Sequence, residues 1–128
     1  MKPPIPAAQQ PVATVAANRQ VLLWRVVLIS CLAVIALLAW MPGNQVPLST
    51  TSDKLNHLLA FAALGFLAWR AYPTQRVPAL FALVGFGVLI ELVQWTLPTR
   101  SAELADLAAD AIGLALGSLA SRWTVRWA

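Results

Sequence analysis

Long apolar runs alternate with short polar breaks along the chain. Four runs stand out, at about 22–41, 55–72, 77–97 and 103–123. Each is close to the roughly 20 residues that a helix needs to cross a hydrocarbon core. Backbone groups in lipid must be satisfied within their own segment, so each run is expected as a helix. The breaks hold residues that stop helices: Pro42-Gly43 after the first run, Pro73 after the second, Pro98 after the third. Breaks this short make consecutive helices antiparallel. Ahead of the first run, residues 1–20 mix four of the nine prolines with alanine and glutamine. That composition cannot bury a core. The pattern predicts an all-α, integral-membrane four-helix bundle over residues 21–124, behind a disordered cytoplasmic tail at 1–20.

Composition narrows the picture. Of 128 residues, 59% are apolar and 11% charged, with mean hydropathy +0.71. A soluble domain has about 45–50% and about 25%, so an ordinary soluble fold is excluded. Four spans leave no room for a second folded module. A single cysteine, Cys31, excludes an intrachain disulfide and a cysteine-rich metal site. Leu28-Ile29-Ser30-Cys31 looks like a lipoprotein cleavage box, but Arg25 shortens the apolar run before it and the run continues beyond it. Lipidation and signal cleavage are not expected. The net charge of +4 comes from scattered basic residues rather than a basic patch, so no nucleic-acid partner is expected.

The charges are sorted by side. With four spans, both termini and the 70–78 loop share one side, which holds Lys2, Arg19, Arg25, Arg70, Arg76, Arg122 and Arg126. The other side holds only Lys54 and Arg100 among the basic residues, together with all five carboxylates. The positive-inside rule then places both termini in the cytoplasm. Trp24, Trp40, Trp69, Trp95, Trp123 and Trp127 fall mainly near span ends, as interface anchors do.

The outward half also gathers the candidate chemistry. Asp53, Lys54 and His57 open the second helix, with Asp53 and His57 on one face at i and i+4. Glu91 and Gln94 lie near the end of the third helix, and Arg100 sits in the turn 98–101. Asp106 and Asp110 begin the fourth helix at i and i+4. At 1.5 Å per residue, Glu91 and Asp110 both lie roughly 10 Å below the same surface. A carboxylate near a span centre costs about 2.5–3.5 kcal/mol, less towards the interface, and usually marks function. Two neighbouring carboxylates repel unless one holds a proton or a positive group stands between them. His57 and Arg100 are the candidates, and Glu91 is expected to face the interior within reach of one of them. A structural network pinning the helices is the bland alternative.

Several chemistries stay open. One histidine with several carboxylates suits Zn, Mn or Mg, although no H-E-x-x-H spacing is present, so no cofactor is expected beyond an open divalent metal. His57 with Glu91 could act as an acid/base pair. There is no nucleophile elbow, P-loop or dinucleotide fingerprint. The run Ser49-Thr50-Thr51-Ser52 is a commonplace loop or cap. Along the fourth helix, Ala105, Ala109, Gly113, Gly117 and Ser121 recur every four residues, a stripe that lets another backbone pack closely.

The ordered pattern Asp53-Lys54-x-x-His57-x-x-x-Phe61-x-x-Leu64-Gly65, Glu91-x-x-Gln94, Pro98-x-Arg100 and Asp106-x-x-x-Asp110-x-x-Gly113-x-x-x-Gly117 resembles the VanZ-like family of small bacterial membrane proteins. It covers about half the chain. Asp110 stands where that family usually carries Asn. The resemblance implies a multi-pass protein of the bacterial inner membrane, related to proteins associated with resistance to glycopeptide antibiotics, particularly teicoplanin. It does not supply a reaction, so enzyme or non-enzyme stays open. The leading expectation is an envelope factor that binds a membrane lipid, a lipid-linked envelope intermediate or another amphiphile in an outward polar cleft. That cleft would be built from Asp53, Lys54, His57, Glu91, Gln94, Arg100, Asp106 and Asp110. Lys54 and Arg100 would hold phosphate or carboxylate, and the acids a cation. The alternatives are an integral-membrane enzyme acting on a lipid-linked intermediate, and a scaffold whose Ala109, Gly113 and Gly117 stripe docks another membrane protein.

Topology reporters check the orientation. Fusions after residue 128 should report the cytoplasm and insertions in the 43–52 loop the opposite side. A cytoplasmic 43–52 loop would end the arrangement.

Overall fold

A computed structural model describes residues 1–3, 10–45 and 52–126. Among these the chain is all-helical: α1 (Gln10–Trp40), a single 3-10 turn (Gly43–Gln45), α2 (Asp53–Ala71), α3 (Arg76–Trp95) and α4 (Leu104–Arg126). The breakers act where expected. α1 stops before Pro42, and α2 stops at Tyr72, whose N–H still donates to Ala68, before Pro73. Pro78 is tolerated in the first turn of α3, where its missing N–H has no helical partner anyway. The hydroxyls Ser49, Thr50 and Thr51, the prolines Pro4 and Pro6, and Trp127 lie outside the described residues.

Two expectations need correction. α1 begins at Gln10, so residues 10–20 are helical although a disordered tail was expected through residue 20. Pro11 falls in the first turn, where proline is accepted. After it the chain has no proline up to Pro42, and Ala13, Ala16 and Ala17 are strong helix formers. The second correction concerns span character. α1, α3 and α4 are each long and apolar enough to cross a membrane, whereas α2 is not among those that qualify. With Asp53, Lys54, Asn56 and His57 in its first turns and Arg70 in its last, α2 is too polar. Its position explains why this is tolerated: α2 packs against all three other helices.

The outer helices turn their apolar side chains outwards. Leu23, Ile29 and Leu37 on α1, Phe81 and Leu92 on α3, and Ile112 on α4 are all exposed. An apolar surface of that extent suits a lipid environment rather than water. Inside lie Phe61, Leu64 and Ala68 of α2, Leu83 and Ile90 of α3, Leu114 of α4 and Leu28 of α1.

The tightest contact joins α2 and α4. Contacts step along both helices in the same direction, from Lys54–Glu103 through His57–Asp110 to Arg70–Ser121. The pair is therefore parallel, as alternate helices of an up-down bundle must be. Glycine permits it. A Cβ on Gly65 would lie 2.5 Å from the Leu114 carbonyl oxygen, and one on Gly113 2.5 Å from that of Leu58. A Cβ on Gly117 would run into the Ala62 carbonyl. The backbone that the small-residue stripe was expected to admit is thus that of α2, and the alternative in which the stripe docks another membrane protein loses this seam. The stripe itself is also offset. Ala105 is exposed and Ala109 only half-buried, while the buried row is Asp106, Asp110, Gly113, Gly117 and Ser121. A strict every-fourth row drifts around a helix of 3.6 residues per turn, so a row that includes a step of three keeps to one face.

The glycine seam makes a graded prediction. Gly117→Val should destabilise the bundle by about 1–3 kcal/mol or more, as over-packing does. Gly85→Ala, where an added Cβ meets nothing within 4 Å inside α3, should be neutral to stabilising, by up to about 1 kcal/mol. Thermal unfolding of the purified variants in detergent checks both.

Candidate functional site

Four helix ends converge at one end of the bundle: the end of α1, the start of α2, the end of α3 and the start of α4. Side-chain hydrogen bonds hold them together. Arg100, in the α3–α4 turn, donates from Nη2 to the Leu38 carbonyl at 2.9 Å and from Nε to the Met41 carbonyl at 3.2 Å. These carbonyls at the end of α1 have no partner within their own helix. Thr99 Oγ1 accepts the N–H of Gly43 at 2.9 Å. Gln94 Nε2 reaches the Ala39 carbonyl at 3.4 Å. Arg100 is thereby committed to α1 and, at 3.7 Å, to Asp53.

His57 stands between two carboxylates. Its Nδ1 lies 2.8 Å from Asp110 Oδ1, and its Nε2 lies 3.6 Å from Glu91 Oε1. All three side chains are more than nine-tenths buried. The α2–α4 seam sets this geometry, because Gly113 sits one turn below Asp110 and brings its backbone onto Leu58 and Ala62. Glu91 faces the interior and has a second task. Its Oε2 accepts the Glu103 backbone N–H at 3.1 Å, just before α4 begins. A carboxylate there satisfies an otherwise unpaired N–H and faces the positive end of the helix dipole.

The remaining expected residues divide. Asp53 is half-buried at the first position of α2 and faces Arg100. Asp106 is 1% exposed and its Oδ1 has no hydrogen-bond partner. Glu91 Oε1, Gln94 Oε1 and Asp110 Oδ2 are also buried without one. Lys54 stays outside the cluster, exposed, with its Nζ 2.7 Å from Glu103 Oε2. Lys54 and Arg100, expected to hold an anionic group, both have partners within the protein. Lys54 pairs with Glu103, and Arg100 closes the end of α1.

Gly87 was not read from the sequence as part of this site. A Cβ there would lie 2.7 Å from Asp110 Oδ2 and 3.3 Å from the Phe61 ring. Glycine is what lets α3 pass close to the acid. Its spacing of four residues before Glu91 places it on the same helical face, a signal that was available.

Beside the cluster, α1, α2, α3 and Arg100 line a half-open pocket of about 360 Å³. That lies at the lower end of the roughly 300–1,000 Å³ usual for ligand pockets. Ile35, Leu38, Leu59 and Ile90 form apolar walls, while Asp53, Asn56, His57, Gln94 and Arg100 form a polar end. The opposite end of the bundle is basic and aromatic. Arg25 donates to the Ala71 carbonyl and covers the Tyr72 ring, and Arg70 lies over Trp24 and Phe66 and donates to Ser121 and Thr124. Trp24 and Trp69, expected as interface anchors, here pack against arginine: Trp24 beneath Arg70 and Trp69 beneath Arg76.

The family model described as VanZ/LLP1 matches residues 24–125, which takes in all of α2, α3 and the turn to α4 as well as the polar cluster. No curated protein and no solved structure matches the chain.

The arrangement around His57 predicts unequal costs. His57→Ala leaves Glu91 and Asp110 buried with nothing between them and should lower stability by about 3–5 kcal/mol. Asp110→Asn keeps an oxygen for Nδ1–H and should cost about 1 kcal/mol. Denaturant titration in detergent measures both. Equal losses would mean that the ring acts by packing alone.

Proposed function

The chain belongs to the VanZ/LLP1 family of membrane proteins, and from that premise we propose that it binds an amphiphile, lipid-linked or free, whose positively charged head enters the polar end of the pocket. Both termini lie in the cytoplasm in this reading, and the pocket faces the outer leaflet. Binding there would alter how the cell envelope responds to antibiotics. The observation that carries it is the pocket itself, which is apolar along Ile35, Leu38, Leu59 and Ile90 and polar where it meets Asp53 and His57. An apolar pocket with a few convergent polar groups is a usual ligand site. The sign of the head follows from the charges left over. Both nearby cations are engaged within the protein, whereas several carboxylate oxygens are not. Asp53 is the carboxylate that lines the pocket, and although Arg100 stands 3.7 Å from it, the carboxylates of Glu91, Asp106 and Asp110 nearby leave this end net negative, which favours a positive head.

One observation favours an enzyme as the second reading. Asp110 accepts from His57 Nδ1 and so orients a ring that also lines the pocket. An oriented imidazole is what acid/base chemistry on a lipid-linked intermediate would need. Turnover abolished by His57→Ala would favour the enzyme. Stoichiometric binding without turnover favours the binding factor.

Binding is tested in lipid nanodiscs, in the presence of a chelator, with a dansyl-labelled dodecylammonium and a dansyl-labelled dodecyl sulfate. The ammonium probe should bind saturably and the sulfate should not. Ile90→Trp, which fills the pocket, and Asp53→Asn, which removes a polar-end charge, should each weaken the ammonium by at least tenfold. Equal binding of the two probes, or an Ile90→Trp variant with unchanged affinity, would sink the proposal.

A further inference from the structure

One nitrogen of His57 and one carboxylate oxygen from each of Asp53 and Asp106 lie within 4.8 Å of one another. On a tetrahedral ion with bonds of about 2.0–2.1 Å, donor atoms stand about 3.4 Å apart. Small torsions of two aspartate side chains span the difference. From this juxtaposition we infer that Asp53, His57 and Asp106 form a binding site for a divalent transition-metal cation, with zinc and manganese as the fitting ions.

Three independent observations support the site. The first is an orphan. Asp106 is 1% exposed, and its Oδ1 has no hydrogen-bond partner. A buried polar atom without a partner is costly and calls for an explanation, of which an ion is one. The second is charge. Around His57 stand four carboxylates: Asp53, Glu91, Asp106 and Asp110. Only Arg100, near Asp53, and a protonated His57 oppose them. Even with the ring charged, two negative charges remain unbalanced. A divalent cation in place of the second ring proton reduces that excess to one. Lys54 does not alter the balance, because it pairs with Glu103.

The third is orientation. Metal-bound histidine usually donates its other ring N–H to a carboxylate, which fixes the tautomer. Asp110 Oδ1 is in place to accept from Nδ1 at 2.8 Å. That tautomer leaves Nε2 with the lone pair. Nε2 faces Glu91 Oε1, an acceptor that has no hydrogen-bond partner of its own. In the metal-free ring a second proton on Nε2 would face Glu91, and a cation held by the ring would take the place of that proton. One nitrogen and two carboxylates form a borderline donor set, which suits Zn²⁺ or Mn²⁺ better than the all-oxygen sets that hold Ca²⁺ or Mg²⁺. The three ligands come from the first turns of α2 and α4, so the ion would also clamp the parallel pair at its polar end.

Asp53 and His57 also line the proposed amphiphile pocket, but the site does not rest on that reading, because the test uses the metal alone. The full chain is purified in detergent, stripped with chelator and titrated calorimetrically with Zn²⁺. Wild type should take up one equivalent. Asp53→Asn and Asp106→Asn should each weaken binding by at least tenfold. Asp110→Ala, which removes the partner of Nδ1, should weaken it by about 10–100-fold. Arg122→Gln, which removes an exposed charge near the end of α4, away from the cluster, should leave the affinity within twofold. Because Asp106 is buried, Asp53→Asn supplies the decisive comparison at a half-exposed position that disturbs the bundle least. With Mn²⁺, pulsed electron paramagnetic resonance should detect a directly bound imidazole nitrogen that disappears in His57→Gln. No saturable binding to the folded wild-type chain, equal affinity in Asp53→Asn, or a manganese signal without nitrogen would overturn the site.

Discussion

The bundle depends on the close approach of two parallel backbones. Gly65 on α2 and Gly113 and Gly117 on α4 remove the side chains that would hold these helices apart. Lipid provides no hydrophobic drive between apolar helices, so association relies on packing and on buried hydrogen bonds. Glycine makes the packing available, and its position sets everything above it. One turn beyond Gly113, Asp110 meets His57, and a further turn on, Asp106 comes beside Asp53 and His57. A bulkier seam would separate α2 from α4 and take the acids away from the imidazole.

The polar end is arranged so that much of its charge serves the backbone as well as a neighbour. Arg100 binds the last carbonyls of α1 and faces Asp53, while Glu91 caps the start of α4 and faces His57. Such double duty makes buried charge tolerable, because each group replaces several lost water contacts. It also ties all four helices at one end. The backbones of α1 and α4 do not come close to each other among the described residues, and the Arg100 turn connects the two through α1's carbonyls. The pocket opens where α1, α2 and α3 meet beside this knot.

A central helix that is too polar to be an independent span follows from the same economy of contacts. α2 is the most extensively packed of the four helices, so it can carry Asp53, His57 and Arg70 and still sit within a membrane bundle. The outer helices carry the lipid-facing surface instead, with Leu37, Phe81 and Ile112 turned outwards. The division assigns chemistry to α2 and to the facing sides of α3 and α4. α1 contributes pocket walls and backbone acceptors.

Helix number, breaker positions and the membrane character were legible in the sequence because they depend on local chemistry: run length, proline placement and apolar content. So was the gathering of His57, Glu91, Asp106 and Asp110 at one end, since helix rise and alternating direction place them at similar depth. The start of α1 was misjudged because proline dominates the tail's composition, although alanine follows Pro11. Partner choice could not be read from spacing. Lys54 and Arg100 could each have met a buried carboxylate or an anionic ligand, and only the folded turn showed that one meets Glu103 and the other the carbonyls of α1. The small-residue stripe announced a close contact, but the α2 backbone that fills it, and the row of α4 residues that faces it, were decided by the tertiary structure. A stripe on a helix states how near a neighbour can come. Which neighbour comes is settled by the packing of all four helices at once.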